Sequence, residues 1–155
     1  MRSVGVLVAS CVLAFALAAS ASERPPQYVV ISFDGAQHIS QWERSRKLAR
    51  ESGARFTYFL SCVYLLPPEK RGLYHGPKAK AGRSNVGFAA SRDDVAGRLR
   101  QIWAARLEGH EIANHGCGHF DGKDWSAEEW RSEFDAFTGI LRDAWTINGI
   151  PFEPA

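Results

Sequence analysis

Apolar and polar positions alternate between two rhythms along the chain, short unbroken apolar runs and longer stretches of helical period. Residues 28–33 (Tyr-Val-Val-Ile-Ser-Phe) form a β-branched and aromatic run that predicts a strand buried on both faces, as in a parallel sheet. It closes at Asp34-Gly35, a carboxylate followed by a residue that permits a sharp turn. Residues 39–52 then read as an amphipathic helix with Trp42, Leu48 and Ala49 on its apolar side and Gly53 as its stop. Residues 55–60 predict a second strand. Ser91, with Asp94 three positions on, resembles a capping box in which Asp replaces Glu. It opens a helix through Leu107 whose Val95, Leu99, Ile102 and Trp103 share one face, ended by Gly109. Residues 111–114 are a third strand. Ser126-Ala127-Glu128-Glu129 opens a last helix with Trp130, Phe134, Phe137 and Leu141 at core spacing, aromatics that read as packing rather than as a sugar platform.

The order βαβαβα predicts an α/β fold with parallel strands, right-handed crossovers and helices outside. In such folds a ligand sits at the carboxyl ends of the strands. Asp34, Ser61-Cys62 and His115/His119 all fall at those ends, so they are expected to share one mouth. Residues 65–90 are rich in Pro, Gly and Lys and longer than an ordinary connection, which suits either a functional flap or a disordered insertion.

With 155 residues, 45% apolar content and five tryptophans, the chain can bury a core of its own and is expected to form one domain. Its net charge of +2 gives no reason to expect nucleic acid or an anionic membrane surface as partner. The N-terminus adds more. Arg2, an apolar run from Val4 to Leu17 and the small residues Ala19-Ser20-Ala21 read as a cleaved secretory signal over residues 1–21, with a lipoprotein signal ending at Cys11 as the alternative. Residues 22–27 would be a linker and 28–155 the domain, working secreted or in the periplasm with no membrane attachment after cleavage. Cleavage leaves Cys62 and Cys117, which suit a disulfide in an oxidising compartment, two buried thiols, or a thiolate ligand from Cys117.

The chemistry concentrates in residues 109–119, Gly-His-Glu-Ile-Ala-Asn-His-Gly-Cys-Gly-His. His115 and His119 are four apart, but Gly116 and Gly118 between them disfavour helix by about 1 kcal/mol each. A strand running into a glycine-rich loop is the better reading, and it can fold both imidazoles toward one divalent ion. A surface turn that happens to hold histidines is the plainer alternative. His38 reads as a first-turn surface residue, His75 as a solvated flap residue, and His110, at the far end of the strand, as a structural hydrogen-bonding group.

Residues 30–34 (Val-Ile-Ser-Phe-Asp) resemble the "TFDDG" strand end of the polysaccharide deacetylases, and residues 110–119 resemble their "HEIxxHxxxH" segment, in the manner of the chitin-deacetylase-like branch. The resemblance spans the expected mature chain but only the front half of the family's domain. It implies a partial (β/α) barrel and a metal-dependent hydrolase that removes N-acetyl or O-acetyl groups from a chitin- or peptidoglycan-like polysaccharide or oligosaccharide by attack of an activated water on the carbonyl. A divalent metal, usually zinc in the family, would be held by His115 and His119. Asp34 would be the catalytic base.

Two departures stand out. The family's metal-binding aspartate aligns with Gly35, which leaves three readings: Asp121 is a substitute ligand, Asp34 itself turns to the metal, or the site is degenerate. The chain also ends at Ala155, after about three βα units, before the family's arginine segment, aspartate/tryptophan segment and acidic histidine. It is therefore expected to be a truncated product. The alternative class is a carbohydrate-binding pseudoenzyme of the same fold; a secreted metal-binding module without a sugar ligand is a third.

Overall fold

The computed structural model describes residues 25–152. The expected signal at residues 1–21 lies outside them, as do the first residues of the linker. Among the described residues no helix is long and apolar enough to cross a membrane.

Three strands, β1 (Ser32–Phe33), β2 (Thr57–Leu60) and β3 (Glu111–Asn114), form a parallel sheet in the order β1-β2-β3. Helix α1 (Ile39–Ser52) connects β1 to β2 and α2 (Arg92–Leu107) precedes β3; α3 (Ala127–Ile147) follows it. The mixed α/β class and the parallel pairing agree with the sequence pattern. Register sets Phe33 beside Tyr58 and Tyr58 beside Ile112, so these side chains share one face of the pleat. On that face Tyr58 stacks between Phe33 and Trp42, with ring centroids 5.3 and 4.1 Å away. The opposite face carries Ser32, Thr57, Phe59, Glu111 and Ala113, none of them fully buried.

That half-open face corrects the expectation for residues 28–33. Only Ser32 and Phe33 pair as strand, while Tyr28, Val29 and Val30 are 86%, 74% and 87% exposed. Apolar character gave them strand propensity, but β1 is an edge with β2 on one side only. Propensity of this kind expresses packing against neighbours, and among the described residues these three find little.

Helix α1 ends as expected at Gly53, whose left-handed φ of 74° lets its N–H reach the Ala49 carbonyl. Its inner face is Trp42, Ser45 and Ala49, at i, i+3 and i+7, and Leu48 is exposed. A serine is tolerated there because its hydroxyl is 2.7 Å from the Tyr58 hydroxyl. In α2 the Ser91 hydroxyl accepts the Asp94 N–H, but the Asp94 carboxylate takes the Ala90 N–H and the Arg98 guanidinium instead of closing a box on Ser91. The box at the start of α3 is complete, Ser126 and Glu129 each accepting the other's N–H. The α3 core face is Glu133, Phe137, Ile140 and Ala144; Trp130 and Phe134, expected inside, are 38% and 49% exposed.

Residues 65–90 are neither a disordered insertion nor an open lid. Two 3₁₀ turns (Cys62–Leu65 and Pro68–Leu73) start the segment, and Leu65, Leu66, Tyr74 and Ala89 are buried. Cys62 and Cys117 are joined as a disulfide, with their Cα atoms 4.5 Å apart.

Candidate functional site

The site is built at the carboxyl ends of β1 and β3. Continuing the pleat from Ser32 puts Asp34 on the half-open face, and continuing it from Glu111 and Ala113 puts His115 there too. The turn that carries Asp34 is held by two buried side chains. Gly35 and Ala36 both take left-handed φ, 76° and 47°, and the Trp42 indole N–H donates to the Ala36 carbonyl at 2.9 Å. One residue on, the buried Arg98 guanidinium donates to the Gln37 carbonyl at 2.7 Å and to the Tyr64 carbonyl at 2.5 Å. Asp34 itself is exposed.

The histidine loop is tied down on every side. His115 N–H continues the ladder to the Leu60 carbonyl at 3.0 Å, and the Asn114 side chain accepts the Gly116 N–H at 2.8 Å. Cys117 is bridged to Cys62. Gly118 donates to a carboxylate oxygen of Glu133 at 3.0 Å, and its carbonyl accepts the Asn85 N–H at 2.9 Å. The Asn85 amide then reaches the His119 carbonyl at 3.1 Å. A side chain at Gly118 would collide with the Tyr74 ring, so only glycine fits under that tyrosine. Held in this way, the His115 and His119 rings lie 4.8 Å apart between centroids. The helical alternative for this spacing is thereby replaced by the strand-and-loop reading.

Three of the residues responsible were not expected from sequence. Glu133 is 1% exposed and uses its second oxygen to accept the Tyr74 hydroxyl at 2.7 Å. Burial and the adjoining Glu133 carboxylate push the Tyr74 phenol far above its ordinary pKa. Asn85 comes from the long segment, which therefore buttresses the histidines. A glutamate at a core-face position of a helix is the one sequence signal that could have marked Glu133, because buried carboxylates need partners.

Burial lowers the His115 pKa, the neighbouring His119 adds to that effect, and the Asp34 carboxylate opposes it. The imidazole therefore favours the neutral form that binds metals. The two rings open on a cavity of about 300 Å³ with Phe59, Asn114 and Gly116 in its wall and Trp125 and Trp130 opposite. Asp34 stands outside that wall. Asp121 is exposed and accepts the Lys123 N–H at 3.0 Å in a local turn. Among the described residues no group of three or more His, Cys, Asp or Glu side chains is gathered closely enough to hold a metal ion. The imidazole pair is the part of a donor set that fits a divalent cation; the carboxylates do not complete it.

The remaining histidines have other places. His110 is buried and its Nδ1 accepts the Phe56 N–H at 3.1 Å, a structural role as expected. His38 is the exposed residue before α1, and His75 is exposed on the long segment. No family model, no curated protein and no solved structure matches this chain.

Proposed function

We propose that the chain is the front part of a secreted or periplasmic polysaccharide deacetylase, a hydrolase that removes acetyl groups from a chitin- or peptidoglycan-like glycan, with a divalent metal, zinc, held by His115 and His119. The observation that carries this reading is the pair of close imidazoles at the carboxyl end of β3, with Asp34 at the carboxyl end of β1 in the same sheet, about 80 residues earlier in sequence. A half-open sheet face bearing those residues is the face that a (β/α) barrel would turn inward, which supports the finer fold assignment. The Cys62–Cys117 disulfide supports an oxidising compartment.

In this reading the acyl carbon of the acetamide is attacked by water, the carbon–nitrogen bond breaks, and the proton taken from the water is passed to the departing nitrogen, so that acetate and a free amine are released. A divalent ion on the imidazole pair would supply a Lewis acid that polarises the carbonyl and acidifies water. Asp34 accepts the proton of the attacking water at its carboxylate, a step worth about 10²–10⁴-fold. His115 is predisposed to the neutral state by burial, and the anchored loop holds both rings without a reorganisation at the moment of binding.

A carbohydrate-binding pseudoenzyme is the second reading. It is favoured by Gly35 at the family's aspartate position and by the absence of a third metal donor among the described residues. Zinc content together with acetate release from acetylated chito-oligosaccharides separates the two. The hydrolase requires both, and a chain that binds the sugar but releases no acetate, even as part of a longer gene product, is the pseudoenzyme. His119→Ala is expected to abolish stoichiometric zinc binding; zinc retained by that variant removes His119 from the site.

A further inference from the structure

We propose that Trp130 and Phe134 form a stacking platform for a pyranose ring of the glycan, next to the histidine pair. The inference rests on the carbohydrate reading above and names the side chains that would hold the sugar. Sequence periodicity assigned both aromatics to the core. Helix α3 instead buries Glu133, Phe137, Ile140 and Ala144, and leaves Trp130 and Phe134, one turn apart near its start, partly exposed. Their ring centroids are 5.6 Å apart, and Trp125 sets its edge against Trp130 at 4.8 Å.

The position of this patch separates it from an ordinary exposed aromatic. Trp125 and Trp130 line the same cavity as His115 and His119, and Phe134, outside that lining, extends the aromatic surface from Trp130. The platform is rigid. The complete capping box at Ser126 and Glu129 fixes the first turn of α3, and Glu133, one turn on, is clamped between Gly118 and Tyr74.

Exposed aromatic rings beside convergent polar groups are the composition of a small-ligand site. The occupant that suits both halves is a hexosamine ring. Its flat C–H face lies on an indole or phenyl ring, and its hydroxyl and acetamido groups reach the polar wall of Asn114, His115 and His119. A lipid would find too small an apolar surface there, and a peptide would leave its backbone groups facing aromatic rings.

The test is a titration of the full chain with N-acetylated chitotetraose, followed by tryptophan fluorescence and calorimetry, with maltotetraose as control. Trp130→Ala and Phe134→Ala are each expected to weaken chitotetraose binding about tenfold or more while zinc content and the thermal unfolding curve stay as in the parent. Phe134 is the more exposed of the two, so its variant keeps the test open if Trp130→Ala does not fold. Affinity unchanged in a folded variant, no binding by the parent chain, or a dimer that dissociates on either substitution without any sugar affinity would each overturn the platform. Platform-dependent binding without acetate release supports the platform and defeats the hydrolase. Acetate release with an unchanged KM in Trp130→Ala supports the hydrolase and defeats the platform.

Discussion

His119 takes a left-handed backbone, φ 56°, although it is not glycine. Such a conformation costs of order 1–3 kcal/mol and persists only where the surroundings over-determine it. Here the Asn85 amide holds its carbonyl and the bridged Cys117 fixes the chain two residues earlier. Asp34 is the base of the proposed hydrolysis. Asp34→Asn is expected to keep the metal and to lower acetate release about 10²–10⁴-fold, checked by zinc content alongside single-substrate kinetics; loss of zinc would make Asp34 a ligand. His110 gives a stability prediction. Burial holds its pKa below the ordinary value, so the unfolded chain binds the proton more readily than the folded one. The contribution of His110 is therefore complete above a pH of about 6.5 and is lost as the pH falls through the lowered folded value. In His110→Asn, whose amide oxygen can still accept the Phe56 N–H, the decline in denaturation midpoint between pH 7 and pH 5 is expected to be shallower. His110, His115 and His119 were legible as residues because spacing and strand position are written in the sequence. Asn85 was not, since nothing local shows which distant carbonyl an amide will meet.

At the scale of the element, the first half of α3 does two jobs on neighbouring positions. Glu133 is buried and holds the histidine loop, while Trp130, one turn earlier, and Phe134 beside it stay partly exposed. Glu133→Ala strips acceptors from the Gly118 N–H and the Tyr74 hydroxyl, and leaves both buried. It is expected to cost about 2–5 kcal/mol in urea unfolding and to weaken zinc binding. Tyr74→Phe leaves the Gly118 bond in place and is expected to cost less, about 1–3 kcal/mol. Helix ends were legible because capping is local chemistry: Ser126-Glu129 and Gly53 both behave as their sequence predicts. Helix faces were less so. Leu48 and Ser45, and Trp130 and Glu133, show that hydrophobicity alone misplaces the core when a polar side chain finds a buried partner.

For the molecule as a whole, one sheet face is packed under aromatic residues and helices, and the edge at β1 carries Tyr28, Val29 and Val30 into solvent. Unpaired apolar edges are templates for pairing with another chain. The chain as given is expected to self-associate, and Val30→Lys to reduce the weight-average mass seen in sedimentation. The parallel α/β class was legible from the order of periodic segments. The exposure of residues 28–31 was not, because a sequence records the propensity of a run and not how many neighbours it will find.

The disulfide serves the histidine loop as well as the fold. Cys117 sits between His115 and His119, and its bridge to Cys62 closes a stretch of 55 positions, worth about 2–4 kcal/mol to the fold. Polypeptide matured in a reducing cytosol would carry the same histidines on a segment that has lost one of its tethers. If the imidazole pair binds zinc as proposed, a preparation refolded with thiols blocked is expected to bind it more weakly, its histidine segment then held only by the strand ladder, Asn85 and Glu133.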